Sequence, residues 1–210
     1  MTRLLLASTS PARLATLRSA GIEPVVHDPE VDEEQVLAST EARFGKLAPE
    51  DAALTLARAK AEAVSARAAG EFLVLGCDSI LELEGQIYGK PASAADAASR
   101  WRTMRGRTGA LHTGHWLVDI RSTTAAGTGG AIGSTASTRV HFAELTDAEI
   151  DAYVATEEPL RVAGAFTVDG YGGPFVAGLE GDHHNVVGLS LPLLRNLLAD
   201  FGVAITDLWR

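Results

Sequence analysis

The sequence predicts an α/β protein, and three observations carry that expectation. Short, continuous apolar runs at Leu4–Leu6 and Phe72–Leu75 are too brief for independent helices and suit strands buried on both faces. Between and after them lie helix-forming stretches with cap and stop residues, above all the Ala-, Leu- and Arg-rich segment 49–69. Finally, the chain from Glu158 to Gly188 is punctuated by glycine, which favours tight turns and close backbone approach over helices.

In chain order, the opening strand runs into Ser8, Thr9 and Ser10 and then Pro11. Proline is tolerated in a first helical turn, so Ser10 reads as the N-cap of a helix over 11–20, with Leu14 and Leu17 on one face and Gly21 as its stop. A second strand is expected over 22–26. The acidic run Asp28, Glu30, Asp32, Glu33, Glu34 reads, on composition alone, as a solvated loop. The long helix over 49–69 carries Arg58, Lys60 and Glu62 and ends at Gly70. The strand over 72–75 places Asp78 at its carboxyl end, and 80–87 looks like a hairpin arm around Glu84-Gly85-Gln86. Gly89-Lys90-Pro91 sets a lysine in a turn, and a helix over 93–104 is broken by Arg105-Gly106-Arg107. A strand including His112 and His115 runs to Ile120. Residues 122–138, rich in Gly, Thr, Ala and Ser, read as a flexible hairpin tip. A strand over 139–142, a helix whose Thr146 and Glu149 stand in capping-box register, and an amphipathic helix over 191–201 complete the chain. No internal repeat or linker divides it, so one domain spanning 1–210 is expected.

Composition bounds the function. With 210 residues the chain can bury one sizeable core. A formal charge of −9 argues against a nucleic-acid partner, which would need a basic face. No apolar stretch has the length of a membrane span, and the start lacks the apolar core of a signal peptide, so no membrane association and a cytoplasmic location are expected. The single cysteine, Cys77, excludes an internal disulfide framework and reads as a core thiol rather than a nucleophile.

The stretch from Leu4 to Arg13 joins a strand to a helix start whose free N–H groups and positive dipole end suit a phosphate chain, although on this stretch alone ordinary capping is the simpler explanation. Asp78, beyond a buried strand, can act as a general base toward water, bind a metal, or merely shape a turn. Lys60, Lys90, Arg13 and Arg107 are candidate phosphate partners, each beside a turn or element end. The histidines His112, His115, His183 and His184 lack the helical spacing of a zinc site, and no P-loop sequence is present.

Taken together, the chain resembles the Maf family of nucleoside triphosphate pyrophosphatases. The resemblance rests on ASTSPAR at 7–13, VDEE at 31–34, KAEAV at 60–64, GCDS at 76–79, GKP at 89–91, HTGH at 112–115, EPLRVAGAF at 158–166 and EGDHHNVVGLSLP at 180–192. Their shared order and spacing make the match specific where each piece alone is not.

The resemblance implies an elongated, twisted mixed sheet flanked by helices, with two lobes and a central cleft, as in inosine triphosphatases. It implies hydrolysis of a standard or modified nucleoside triphosphate to the monophosphate and pyrophosphate with a divalent metal, Mg or Mn, and a homodimer. Asp78 becomes the group that activates water and Glu33 a metal or water partner, so Glu33 and Asp78 form the implied metal pair. Lys60 and Lys90 join the catalytic set, and Ser8, Ser10 and Arg13 face the phosphates. Base preference does not carry over. The branch preferring dTTP and UTP has Arg, Thr and Gln where this chain has Ala12, Ser79 and Asp169, and the branch preferring 7-methyl-GTP has Trp and Gln at the first two. Asp169 offers an acceptor where an amide could donate and accept, which favours a base presenting N–H donors. The family is also associated with regulation of division and septation, a reading in which hydrolysis is incidental.

Overall fold

A computed structural model describes residues 2–210. The chain starts with β1 (Leu4–Ala7), α1 (Pro11–Ser19) and β2 (Val25–His27), followed by α2 (Glu33–Phe44) and α3 (Pro49–Ser65). The long strand β3 (Leu73–Leu83) turns into β4 (Gln86–Tyr88), and α4 (Ala94–Met104) leads to β5 (Thr108–Asp119) and β6 (Ala131–Phe142). The C-terminal part holds α5 (Asp147–Ala155), β7 (Val176–Glu180), α6 (His183–Val187) and α7 (Leu191–Asp200). The strands form one seven-stranded mixed sheet in the order β2-β1-β3-β5-β6-β7, with β4 also on β3. β1 runs parallel to β2 and β3, while β3, β5, β6 and β7 are successively antiparallel. Among the described residues no helix is long and apolar enough to cross a membrane.

Four expectations are corrected. The acidic run is not a loop throughout, because Asp32 caps α2 by accepting from the Gln35 amide and Glu33 and Glu34 fill its first turn, where carboxylates meet the positive helix end. Nor is Asp78 at a strand end. β3 continues through it to Leu83, since one edge is held by β5 along its whole length. Only part of 122–138 is loop: residues from Ala131 belong to β6, their alternation with β5 partners outweighing their low-complexity composition. The second strand is Val25–His27, and Ile22 instead bridges Trp209.

The sheet carries separate apolar clusters. On one face Leu4, Leu6, Leu73, Leu75 and Cys77 pack with Leu17 of α1 and Leu194, Leu197 and Leu198 of α7. On the other, Leu5, Val74 and Phe72 meet Val64 of α3. At the far end Leu81 and Leu83 join Trp101, Phe142 and Tyr153, with edge-to-face ring contacts at 5.5–5.6 Å.

Between these clusters β3 has a gap in its pairing. β1 accompanies it only as far as Ala7 opposite Gly76, and β4 joins it only from Tyr88 opposite Leu81. Cys77, Asp78, Ser79 and Ile80 therefore have a strand neighbour on the β5 side alone. Strand side chains alternate between faces. At a fully paired position Asp78 and Ser79 would be separated by the sheet, whereas at this open edge both can reach one ligand.

Candidate active site

The site begins with how closely α3 lies on the sheet. Ala53, Ala57 and Ala61 recur every fourth residue on one helix face, opposite Gly76 of β3 and Gly114 of β5. A Cβ at Gly76 would lie 2.2 Å from the Ala57 carbonyl oxygen, and one at Gly114 2.3 Å from that of Ala53. These two glycines are required by that approach, and Gly114 stands opposite Asp78 in the strand register. The approach brings Lys60 onto Asp78.

Lys60 Nζ bonds Asp78 Oδ1 and lies 2.6 Å from Glu33 Oε1, so one ammonium joins two carboxylates from α2 and β3. Lys60 and Asp78 are each 7% exposed, while the Glu33 side chain is 48% exposed. Burial is the largest influence on Asp78 and raises its carboxyl above the usual range. Lys60 and Arg13 pull the other way, and Glu33 adds a further upward push. Asp78 Oδ2 and Glu33 Oε2 accept no hydrogen bond from the described residues.

The other face of the open edge is built by the N terminus of α1. Ser10 Oγ accepts from the Arg13 amide at 3.4 Å, and Ser8 Oγ accepts from the Ser10 amide and Arg13 Nη1, both at 3.2 Å. The buried Arg13 also donates from Nε to Gly188 O at 2.8 Å and from Nη2 to Ser79 Oγ at 3.2 Å. Ser79 meets Thr113 Oγ1 at 2.9 Å, and Thr113 donates to Asn185 O at 3.0 Å.

His115 lies beneath this chain. Its Nδ1 bonds the Thr113 carbonyl at 2.9 Å and its Nε2 accepts from the Ser190 amide at 2.8 Å, which places the single ring proton on Nδ1. Burial lowers its pKa to about 4, so the ring is neutral and braces the segment 188–190. Cys77 is fully buried and its thiol is pushed up to about 12 by that burial, so it is no thiolate nucleophile at neutral pH.

Of the residues singled out in the sequence, Ser8, Ser10, Arg13, Glu33, Lys60, Asp78 and Ser79 are brought to this edge. Ala12 sits half-buried in the first turn of α1. Lys90 is exposed on a turn whose Gly89 and Lys90 carbonyls accept from Arg100 at 2.6 and 3.4 Å. Asp169 is exposed in the glycine-rich segment, with no side-chain bond to the cluster. Arg107 pairs with Glu84 at 2.8 Å, away from Asp78. Sequence reasoning missed Thr113, Asn185, Gly188 and Ser190 as supports of the site. Their only signal was membership of the HTGH and EGDHHNVVGLSLP stretches, because contacts spanning 72 to 175 residues leave no local pattern.

A buried carboxylate tied by lysine to a second acid lies beside a capped helix N terminus on an α/β sheet, the class of arrangement in which helix N–H groups can meet an anion. The chain belongs to the Maf-like protein family, whose family model matches residues 3–201. It is 55% identical over 208 residues to a protein of Streptomyces coelicolor named nucleoside triphosphate pyrophosphatase, covering 99% of this chain and 94% of that one. Proteins of the same name in Leifsonia xyli and Nostoc punctiforme are 53% and 45% identical over 210 and 205 residues. These matches cover 99% and 98% of this chain and 96% of each relative.

Proposed function

We propose that the protein is a nucleoside triphosphate pyrophosphatase, acting as one catalytic unit along its whole length and cleaving between the α and β phosphates. The observation that carries this is Asp78, a buried carboxylate with one oxygen held by Lys60 and the other free, on the unpaired edge of β3.

In this reading the free Asp78 oxygen takes a proton from the water that attacks the α phosphorus, and Lys60 keeps the carboxylate aimed and ionised. The α1 N terminus, Ser8, Ser10 and Arg13 bind the phosphate chain, and Lys90, on an exposed turn, reaches the departing pyrophosphate. Asp169 contacts the base from the glycine-rich segment.

Asp78 and Glu33 are hard oxygen donors, a set that fits Mg²⁺ or Mn²⁺ held through the free Glu33 oxygen plus substrate phosphates, beside an Asp78 whose free oxygen faces the water. Such an ion, when bound, neutralises charge on the phosphates. The family resemblance also supports a cytoplasmic homodimer, and light scattering of the purified protein tests the dimer.

The test is a product assay with Mg or Mn against a panel of standard and modified triphosphates, resolving pyrophosphate from orthophosphate. Pyrophosphate and monophosphate in equal amounts are expected. Orthophosphate as the product would reassign the scissile bond, and nucleotide binding without turnover would favour the regulatory reading.

A further inference from the structure

The hydroxyls of Ser8 and Ser79 flank the same guanidinium, yet the hydrogen-bond network gives them opposite polarity. A carbonyl oxygen has no hydrogen to give, so Thr113 must spend its hydroxyl proton on Asn185 O. The 2.9 Å contact between Ser79 and Thr113 is then donated by Ser79, and Arg13 Nη2 donates to Ser79. Every proton in the chain from Arg13 through Ser79 and Thr113 to the α6 backbone therefore has one direction. Ser79 retains a single acceptor lone pair and no donor. Ser8 is the reverse: it accepts from Arg13 and from the Ser10 amide, and its own proton has no protein acceptor among the described residues.

We propose that Thr113 is a specificity-setting positioning residue, which by taking the Ser79 proton makes Ser79 an acceptor that selects a donor-bearing part of the substrate, while Ser8 serves the anionic phosphates. This rests on the nucleotide reading and names the chemistry that Ser79 recognises: an N–H of the base, never a phosphate or carbonyl oxygen. Ser79 is half-buried on the unpaired stretch of β3, so its remaining lone pair lies where a ligand can approach. Thr113 is fully buried and acts only through Ser79.

The test compares the protein with Thr113→Val, Thr113→Ser, Ser79→Ala and the Ser79→Ala/Thr113→Val pair. Binding of non-hydrolysable α,β-methylene triphosphates is measured alongside kcat and KM, using pairs of bases that exchange a ring N–H for a bare ring nitrogen and a carbonyl for an amino group, uracil against cytosine and hypoxanthine against adenine. In Thr113→Val the Ser79 proton is released, and the preference within each pair, for the member whose N–H meets the Ser79 lone pair, falls by about five- to tenfold, the worth of one hydrogen bond. The change appears mainly in KM, and Thr113→Ser restores the wild-type ranking. In the Ser79→Ala background Thr113→Val changes the ranking no further. An unchanged ranking in folded Thr113→Val, or an equal Thr113→Val effect with and without Ser79, overturns the proposal. Should Thr113→Val not fold, Ser79→Ala with an unchanged ranking overturns it equally. If no triphosphate is hydrolysed but analogue binding shifts as stated, the pyrophosphatase reading falls and the role of Thr113 stands.

Discussion

Two buried acid–base pairs lie on neighbouring strands of this protein, and they are built to opposite ends. Asp119, at the end of β5, accepts from the Arg121 Nε, Nη2 and backbone amide and from the Thr128 amide and hydroxyl, at 2.8 to 3.1 Å, so both its oxygens are filled. Burial opposes its ionisation, yet these donors outweigh burial and bring its pKa down to about 2. Asp78 has one oxygen on Lys60 and the other free, and burial prevails, raising its pKa. A saturated carboxylate is a fixed anchor, here for the 120–130 loop, whereas an unsaturated one retains basicity for chemistry.

The comparison is broken most sharply by the same substitution at both sites. Asp78→Asn is expected to reduce pyrophosphate release by about 10²–10⁴-fold, the usual contribution of a general base, with the circular dichroism spectrum unchanged. Asp119→Asn should leave turnover per folded molecule as it is and destabilise the protein by about 3 kcal/mol in urea titration, because Arg121 becomes a buried, uncompensated charge.

Acid titration sharpens the contrast. Because the folded pKa of Asp119 lies below its unfolded value, its contribution to stability is complete above the ordinary carboxylate range and is lost as pH falls through about 2. Asp78 has the opposite sign. Its raised pKa favours the folded state while protonated, and that contribution is lost as pH rises through its folded value. Since the base must be ionised, kcat/KM should fall on the acid side with a midpoint above about 3.9, the ordinary Asp value, and Lys60→Met should move that limb higher.

The smallest effect is expected at Glu158, a third partly buried acid. It accepts from Tyr153, Thr167 and the Tyr171 and Gly172 amides at 2.5 to 3.1 Å, which lower its pKa against the burial that raises it. Glu158→Gln should cost about 1 kcal/mol and speed amide exchange in 167–172 while leaving kcat on the best substrate within about twofold.

Local chemistry made some of this protein legible from its residues alone. The Ser10 cap with Pro11, α3 and the Thr146–Glu149 capping box each follow from interactions within a few residues, and the unbroken apolar run of β1 marks it as a buried strand. The acidic α2 escaped because its apolar face is slight and none of its residues is buried, leaving composition to dominate the reading. β6 escaped because small polar residues form a strand only when a neighbour such as β5 supplies the ladder.

The site divides in the same way. Which side chains are available follows from the order of residues: Asp78 and Ser79 adjacent, a Ser-rich helix start, an acid pair near Glu33 and the lysine at position 60. It takes the assembled sheet for β1 and β4 to leave the middle of β3 open, for Gly76 and Gly114 to admit α3 closely enough to set Lys60 on Asp78, and for Asn185 and Thr113 to orient the Ser79 proton. Helix caps and turns are settled over a few residues. Strand pairing, burial and the direction of a hydrogen-bond chain depend on groups far apart in sequence, which meet only when the whole sheet is assembled.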